Sequence, residues 1–375
     1  MPDLEYFRDL VTTERRAAEL AAFDGKVVGT FCNFVPEELI VAAGAVPVRL
    51  CSGDAAAAGA SEVFLPRDLC PSVKATAGAV QGGQGLHGRA DLLVMPTPCD
   101  GKKKLGSVLA EFRAVHVLDL PPRKDSSSAR AFWLDQVKEL RHALEKLTGR
   151  SITRQTLRAA IELFNRRTAA WRRFLGLRHL VSGTDALFVA QASFSDDVLR
   201  YTERLEALCA ELEAKARTNG AESGGVRLLL TGAPLIWPNH KVIGLLEGGG
   251  GAVVADETCA GSQRLYQPTV LREWNLRAML EALADKCLKP QTCPCFVDGG
   301  DRLNRILELV EAHAVQGVVY HNLRLCALFD IESFAVQREL RQRGIPMLTL
   351  ATDFSQEDTG QLKNRVDAFL EMVRT

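Results

Sequence analysis

The stretch Asp91-Leu-Leu-Val-Met95-Pro-Thr-Pro-Cys99-Asp-Gly-Lys102-Lys-Lys104 decides how the chain is read. It opens on an apolar run of the kind that fills a strand buried on both faces of a parallel sheet. Two prolines then stop the strand, a thiol follows, and Asp100-Gly101 turns the chain into a lysine-started helix. Open α/β sheets bind ligands at the carboxyl ends of their strands, so Cys99 stands where a ligand would. Other cysteines take the same kind of position. Lys26–Thr30 reads as a short strand ending at Cys32, and Val46–Leu50 as one ending at Cys51. Pro36-Glu37-Glu38 opens a helix between them, with proline in the first turn and acids at the positive end of the dipole. In Cys70-Pro71 the proline belongs at the first helical position. Cys70 is therefore the N-cap of a helix running to about Val80, where a thiolate is stabilised.

Working outward, a helix over 2–22 is expected to pack across the first unit. The glycine-rich residues 82–88 contain a formal G-x-G-x-x-G at Gly83, Gly85 and Gly88. It follows a helix and precedes a strand, the reverse of the dinucleotide fingerprint, and reads as a loop. After Cys99 a helix leads to the strand Ala114–Leu120. Residues 129–219 carry leucine and alanine at helical spacing, and Cys209 falls on an apolar stripe, a core position. A second α/β unit follows. Gly225–Thr231 is its first strand, and 252–256 the next, delivering Cys259. A helix is expected over 269–287 with a structural Cys287 near its end, then an irregular loop with Cys293 and Cys295. Strand 317–321 leads to Cys326, 345–350 is the last strand, and 358–373 the last helix. The two units match in order: Cys51 with Cys259, Cys70 with the 293/295 pair, Cys99 with Cys326. Cys32 has no counterpart, because Gly232-Ala233-Pro234 stands there. The expected fold is α/β: two flavodoxin- or Rossmann-like parallel-sheet domains, 1–128 and 220–375, facing each other across a cleft. Helical residues 129–219 lie between them.

With 375 residues the chain can bury two full cores. Its 46 basic and 46 acidic residues balance, so net charge recruits neither nucleic acid nor an acidic membrane. No apolar run approaches the ~20 residues of a membrane span, and the first residues lack a signal-peptide core. A cytoplasmic location is expected, where thiols stay reduced. Ten cysteines there point to metal or catalysis more than to disulfides, although free cysteine also serves as a small buried hydrophobe. Zinc sites need paired, closely spaced ligands, and the one close pair is Cys293-Pro-Cys295. Compact ferredoxin spacing is also absent. Single cysteines at strand ends suit a cluster assembled between domains, with zinc or plain thiols as alternatives.

Four segments carry a family resemblance. They are Gly29-Thr-Phe-Cys32-Asn-Phe-Val-Pro-Glu-Glu38, Leu65-Pro-Arg-Asp-Leu-Cys70-Pro71, Cys99-Asp-Gly-Lys-Lys-Lys104, and Thr352-Asp-Phe-Ser355 with Gly360-Gln-Leu362. In this order they resemble the 2-hydroxyacyl-CoA dehydratase D-component family, which includes benzoyl-CoA reductase subunits and double-cubane cluster proteins. The resemblance implies that Cys70, Cys99 and Cys326 hold a [4Fe–4S] cluster. The double-cubane branch uses further thiols, here Cys32, Cys259 and one of Cys293 and Cys295. Cys295 is preferred because it follows the proline and leads into the next helix, and Cys51 is the spare. The implied function is a homodimeric reductase with a double-cubane [8Fe–9S] cluster. It would reduce a small molecule with electrons from a separate ATP-hydrolysing iron–sulfur activator. The alternative is the [4Fe–4S] subunit of a dehydratase, and a third possibility is an electron carrier without turnover. The chain has no P-loop of its own. His321 and Glu37 are candidate proton donors whose other reading is structural. Lys102 to Lys104 are either donors to the thiols or a solvated first turn.

Overall fold

The computed structural model describes residues 1–219 and 224–374. Two all-parallel sheets of four strands organise it. The first holds β1 (Val27–Thr30), β2 (Val46–Arg49), β3 (Leu92–Pro96) and β4 (Val115–Leu118), in the order β2-β1-β3-β4. The second holds β5 (Val226–Gly232), β6 (Gly251–Glu257), β7 (Gly317–Leu323) and β8 (Met347–Thr352), in the order β6-β5-β7-β8. All five residues of β3 and all seven of β7 are buried, which is why they read as unbroken apolar runs. The shared topology bears out the matching of the two units along the sequence. In each sheet the chain reverses its direction of travel between the first and third strands. That gap is the crevice where such sheets bind ligands.

Helices Ser127–Thr148, Arg154–Gly176, Gly183–Ala192 and Val198–Asn219 account for the helical region. They join the sheets into one body. Trp133, fully buried, shares a core with Val28 and Val94 of the first sheet and with Met279, Leu283 and Cys287 of helix Leu276–Leu288. Its indole N–H donates to Ala284 O at 3.0 Å. Cys287 is thus a core residue, as is Cys209, packed with Trp171, Phe174 and Tyr201. Among the described residues no helix is long and apolar enough to cross a membrane.

Three local expectations change. The single helix over 2–22 is two, Pro2–Thr12 and Arg15–Ala21. Thr13 is extended between them, and its hydroxyl donates to Asp9 O and accepts from Arg15 N, a local bond that competes with helix. Leu4, Phe7 and Leu10 of the first helix pack on Trp171 and Tyr201 of the helical region rather than across the first sheet. The helix expected over 269–287 begins only at Leu276, where Asn275 caps it by accepting from Ala278 N. Thr269 is held instead by Asn165 and Glu38. The glycine-rich loop contains a short helix, Gly85–Arg89, after Gly83 ends the preceding helix at φ +63°.

The two units meet at Gly53, whose N–H donates to Trp237 O at 3.2 Å. A Cβ there would lie 2.0 Å from Ile236 O, a backbone atom that cannot swing aside. Gly53→Ala should therefore lower unfolding stability in urea by about 1–3 kcal/mol through overpacking. Gly59→Ala, on an exposed helical turn with open space around it, should raise stability by about 0.5–1 kcal/mol.

Candidate metal centre

Eight of the ten cysteines are half-buried and form one contiguous group; only Cys209 and Cys287 lie apart in the core. Cys70, Cys99 and Cys326 make the first part. Each is the N-cap of a helix: Pro71–Gly82, Asp100–Leu109 and Ala327–Gln342. Three helix N-termini therefore aim free N–H groups and positive dipole ends at three sulfurs. Cys99 Sγ accepts from Lys102 N at 3.5 Å. Cys70 and Cys326 share a hydrogen bond across the two units. That bond lowers the pKa of Cys70, and the backbone N–H groups of Val73 and Ser72 add to it; Cys326, the partner holding the proton, is raised.

The second part is Cys32, Cys51 and Cys259, at the ends of β1, β2 and β6. Cys32 sits at φ +60°, a left-handed conformation rare for a side chain of this kind, which turns the chain sharply after β1. Its Sγ accepts from Lys102 Nζ at 2.9 Å. Burial still pushes the Cys32 thiol up to about 12, against the pull of Lys102. Burial also raises Cys51, but Arg49 and Lys102 outweigh it and bring that thiol down to about 7. Burial raises Cys259 despite Arg49 nearby. Cys293 joins the two parts, being in electrostatic contact with both Cys99 and Cys259. Its hydrogen bond with Cys295, then burial, raises its pKa well above the usual thiol value. Cys295 stands behind it, in contact with Cys293.

Two cations face these sulfurs. Arg49 is 4% exposed and donates to Asn33 Oδ1 at 2.5 Å, to Cys259 O at 3.0 Å and to Cys259 Sγ at 3.9 Å. Burial opposes the charges of Arg49 and Lys102, yet the thiols outweigh it and raise both pKa values. Among the described residues neither cation forms an ion pair with a carboxylate. Lys103 and Lys104 are exposed, so the lysine run splits. Its first member serves the thiols, and the other two are a solvated turn.

Residues 32–373 match the family described as 2-hydroxyglutaryl-CoA dehydratase, D-component. The chain belongs to this family. Among its relatives is YjiM of Escherichia coli (strain K12), which carries the name of a dehydratase subunit. It is 35% identical, over 99% of each chain. The beta subunit of (R)-2-hydroxyglutaryl-CoA dehydratase from Acidaminococcus fermentans is 25% identical, over 95% of this chain and 94% of its own. A benzoyl-CoA reductase subunit from Thauera aromatica is also 25% identical, over 95% and 92%. The family thus contains subunits named for dehydration and subunits named for reduction.

An iron–sulfur cluster fits the D-component site on its donor chemistry. Buried cations are costly unless anions face them, and here the facing atoms are sulfurs. Bare thiolates are disfavoured by burial at Cys32, Cys99 and Cys259, so the pocket calls for protons or for cationic metal. Among the described residues no three or more His, Cys, Asp or Glu side chains converge as ligands of a single metal ion.

The two proton-donor candidates have other duties. Glu37 is buried, but Arg264 and Arg167 outweigh burial and lower its pKa, and it also accepts from Thr30 Oγ1 at 3.1 Å. It is an ionised strut. His321 is buried with Nδ1 2.8 Å from Ala233 O, and burial lowers its pKa to about 4. It is neutral near pH 7. The sequence reading missed Arg49, although a charge inside the apolar run Val46-Pro-Val-Arg49-Leu50, close before Cys51, was a visible signal.

His321 makes folding sensitive to acid. Its folded pKa lies below the unfolded value, so its neutral form contributes stability above about pH 6.5 that is lost as pH falls toward 4. Between pH 7 and pH 5 this amounts to about 2 kcal/mol. Urea unfolding at both pH values should show His321→Gln losing less stability on acidification than the parent by roughly that amount.

Proposed function

We propose that this protein is an iron–sulfur reductase that holds a double-cubane [8Fe–9S] cluster. The observation that carries the reading is the number and continuity of the thiols. A single cubane uses at most four protein ligands, whereas eight half-buried cysteines here form one group spanning both sheets. The six assigned ligands are Cys32, Cys70, Cys99, Cys259, Cys326 and one thiol of the Cys293/Cys295 pair. Cys295 leads into the next helix, while Cys293 makes contact with Cys99 and Cys259. Bound there, the cluster would supply low-potential electrons to a small molecule. The chain's own part is electrostatic. Three helix N-termini, Lys102 and Arg49 hold the thiolates in place and offset their negative charge. A second copy of the chain and a separate ATP-hydrolysing iron–sulfur activator are the partners this reading requires.

A second reading is the [4Fe–4S] subunit of a 2-hydroxyacyl-CoA dehydratase. Two observations favour it: relatives bear dehydratase subunit names, and Cys70, Cys99 and Cys326 form a complete set of N-caps by themselves.

Iron and acid-labile sulfide on anaerobically purified protein separate the readings. Two cubanes correspond to about eight iron atoms per chain and one cubane to about four. About eight, falling in Cys32→Ser or Cys259→Ser, supports the reductase. About four, unchanged by those substitutions, supports the dehydratase subunit, and no iron overturns both. Lys102→Met should make the cluster harder to reduce, because the lost positive charge stabilises the more negative, reduced state. A redox titration followed by electron paramagnetic resonance checks the sign: a midpoint that stays put or rises would contradict the role given to Lys102.

A further inference from the structure

The hydroxyl of Tyr320 is within hydrogen-bond reach of two oxygens and carries one proton. Its oxygen lies 3.1 Å from Phe329 O and 2.8 Å from Glu332 Oε2. A carbonyl oxygen only accepts, so both contacts are hydrogen bonds when Glu332 brings a proton of its own. Glu332 then donates to Tyr320, and Tyr320 donates to Phe329 O. When Glu332 is ionised, the tyrosine proton turns to the carboxylate and the carbonyl loses its donor. One proton therefore switches the trio between two hydrogen-bond arrangements.

The surrounding charges favour the same proton. Glu332 of helix Ala327–Gln342 and Glu257 at the end of β6 share one guanidinium, that of Arg302 in helix Gly300–Ala312. Arg302 Nη1 donates to Glu257 Oε2, and Nε lies 2.9 Å from Glu332 Oε2, an ion pair out of line for a hydrogen bond. Arg302, Glu257 and Tyr320 are all buried. One cation balances one carboxylate, and a second buried carboxylate beside it is better satisfied protonated. Glu257 accepts from Arg302, Thr231 and Thr292 and is fully enclosed. Glu332 has fewer donors, and its side chain keeps an edge in solvent, 11% exposed, so it is the member that exchanges with water. Burial, with Glu257 adding to it, outweighs Arg302 and Tyr320 and raises Glu332 to about 7. Burial raises Glu257 as well, against Arg302 and the two threonine hydroxyls.

Arg302 ties this pair to the thiols. It is in electrostatic contact with Cys293, and Thr292, the residue before Cys293, holds Glu257. Negative charge gained at the thiols competes for the same guanidinium and leaves Glu332 with a weaker counter-charge. We propose that Glu332 is the proton-loading group of the thiol centre, taking up one proton from solvent for an electron that arrives there. The inference rests on reading the centre as a redox site. The electron comes from the activator and adds to the centre, and the proton adds to the Glu332 carboxylate. No bond to sulfur forms or breaks, and the net charge of the buried region stays the same. Glu332 acts through Arg302 and does not touch the reacting atoms.

Two measurements test this. The first uses full-length protein freed of iron by a chelator and kept reduced. Infrared difference spectra from about pH 5 to about pH 9 should show the carbonyl stretch of a protonated carboxyl disappearing around pH 7 in the parent. That loss should be missing in Glu332→Gln. Tyr320→Phe removes a donor whose bond to the charged carboxylate is the stronger one, so the same loss should move to higher pH. This variant keeps the test open if Glu332→Gln does not fold. The second measurement uses anaerobically purified, iron-loaded protein. Its midpoint, followed by electron paramagnetic resonance, should become more negative from about pH 6 to about pH 8, because reduction raises the proton affinity of Glu332 about tenfold. In Glu332→Gln it should stay constant over that range. The proposal is overturned by a parent with no such carboxyl band, by a parent midpoint that ignores pH, or by a pH dependence kept intact in Glu332→Gln. A protein that holds no iron but shows the band loses the reductase reading and retains the Glu332 proton site. An iron-loaded protein with a constant midpoint keeps that reading and loses this proposal.

Discussion

Charge balance between buried cations and sulfur is the constraint on which the centre of this molecule depends. Arg49 is almost fully enclosed and Lys102 half-buried, and both direct their N–H groups at cysteine sulfurs. Elsewhere in the chain buried cations meet carboxylates: Arg264 meets Glu37, Arg178 meets Asp256, and Arg302 meets Glu257. The contrast defines the pocket. A buried cation facing neutral thiols would lack a counter-charge, so the arrangement is electrostatically balanced when thiols are ionised. Burial pushes Cys32, Cys99 and Cys259 the other way, toward the protonated form, so the cations and the burial make opposite demands on the same sulfurs.

The sheets explain how the thiols meet. In each one the gap between the first and third strands is where backbone N–H groups, helix N-termini and loops converge. Cys32 and Cys99 leave the two strands flanking that gap in the first sheet. Cys326 leaves one side of it in the second, and Gly232-Ala233 the other. Placing the two crevices against each other brings Cys70 to Cys326 and Arg49 to Cys259. The helices between the units tie the two together, since Trp133 and its neighbours pack the first sheet and helix Leu276–Leu288 into one core.

Much of this was legible from local chemistry. Buried parallel strands announce themselves as apolar runs, and Cys70-Pro71 announces an N-cap because proline suits the first helical position. The matching of the two units was visible from the order of strands and cysteines alone. Misreadings arose where side chains act on the backbone. Thr13 breaks a helix through its own hydroxyl, and Asn275 delays another by capping it. Neither residue interrupts the apolar periodicity, so the pattern ran past both. Lys102 was legible only as one of three lysines. Which of them turns inward is set by the position of Cys32, 70 residues away in sequence.

The sequence by itself determined two parallel-sheet units with cysteines at their strand ends, because strand burial, helix capping and turn formation are decided by neighbouring residues. Tertiary structure alone decided which thiols touch. It also decided that Lys102 and Arg49 are their counter-charges and that Glu37 and His321 are structural. Those outcomes depend on how the two sheets are pressed together. Charge and hydrogen-bond satisfaction in a buried site are summed over every element that reaches it, and no single stretch of the chain contains that sum.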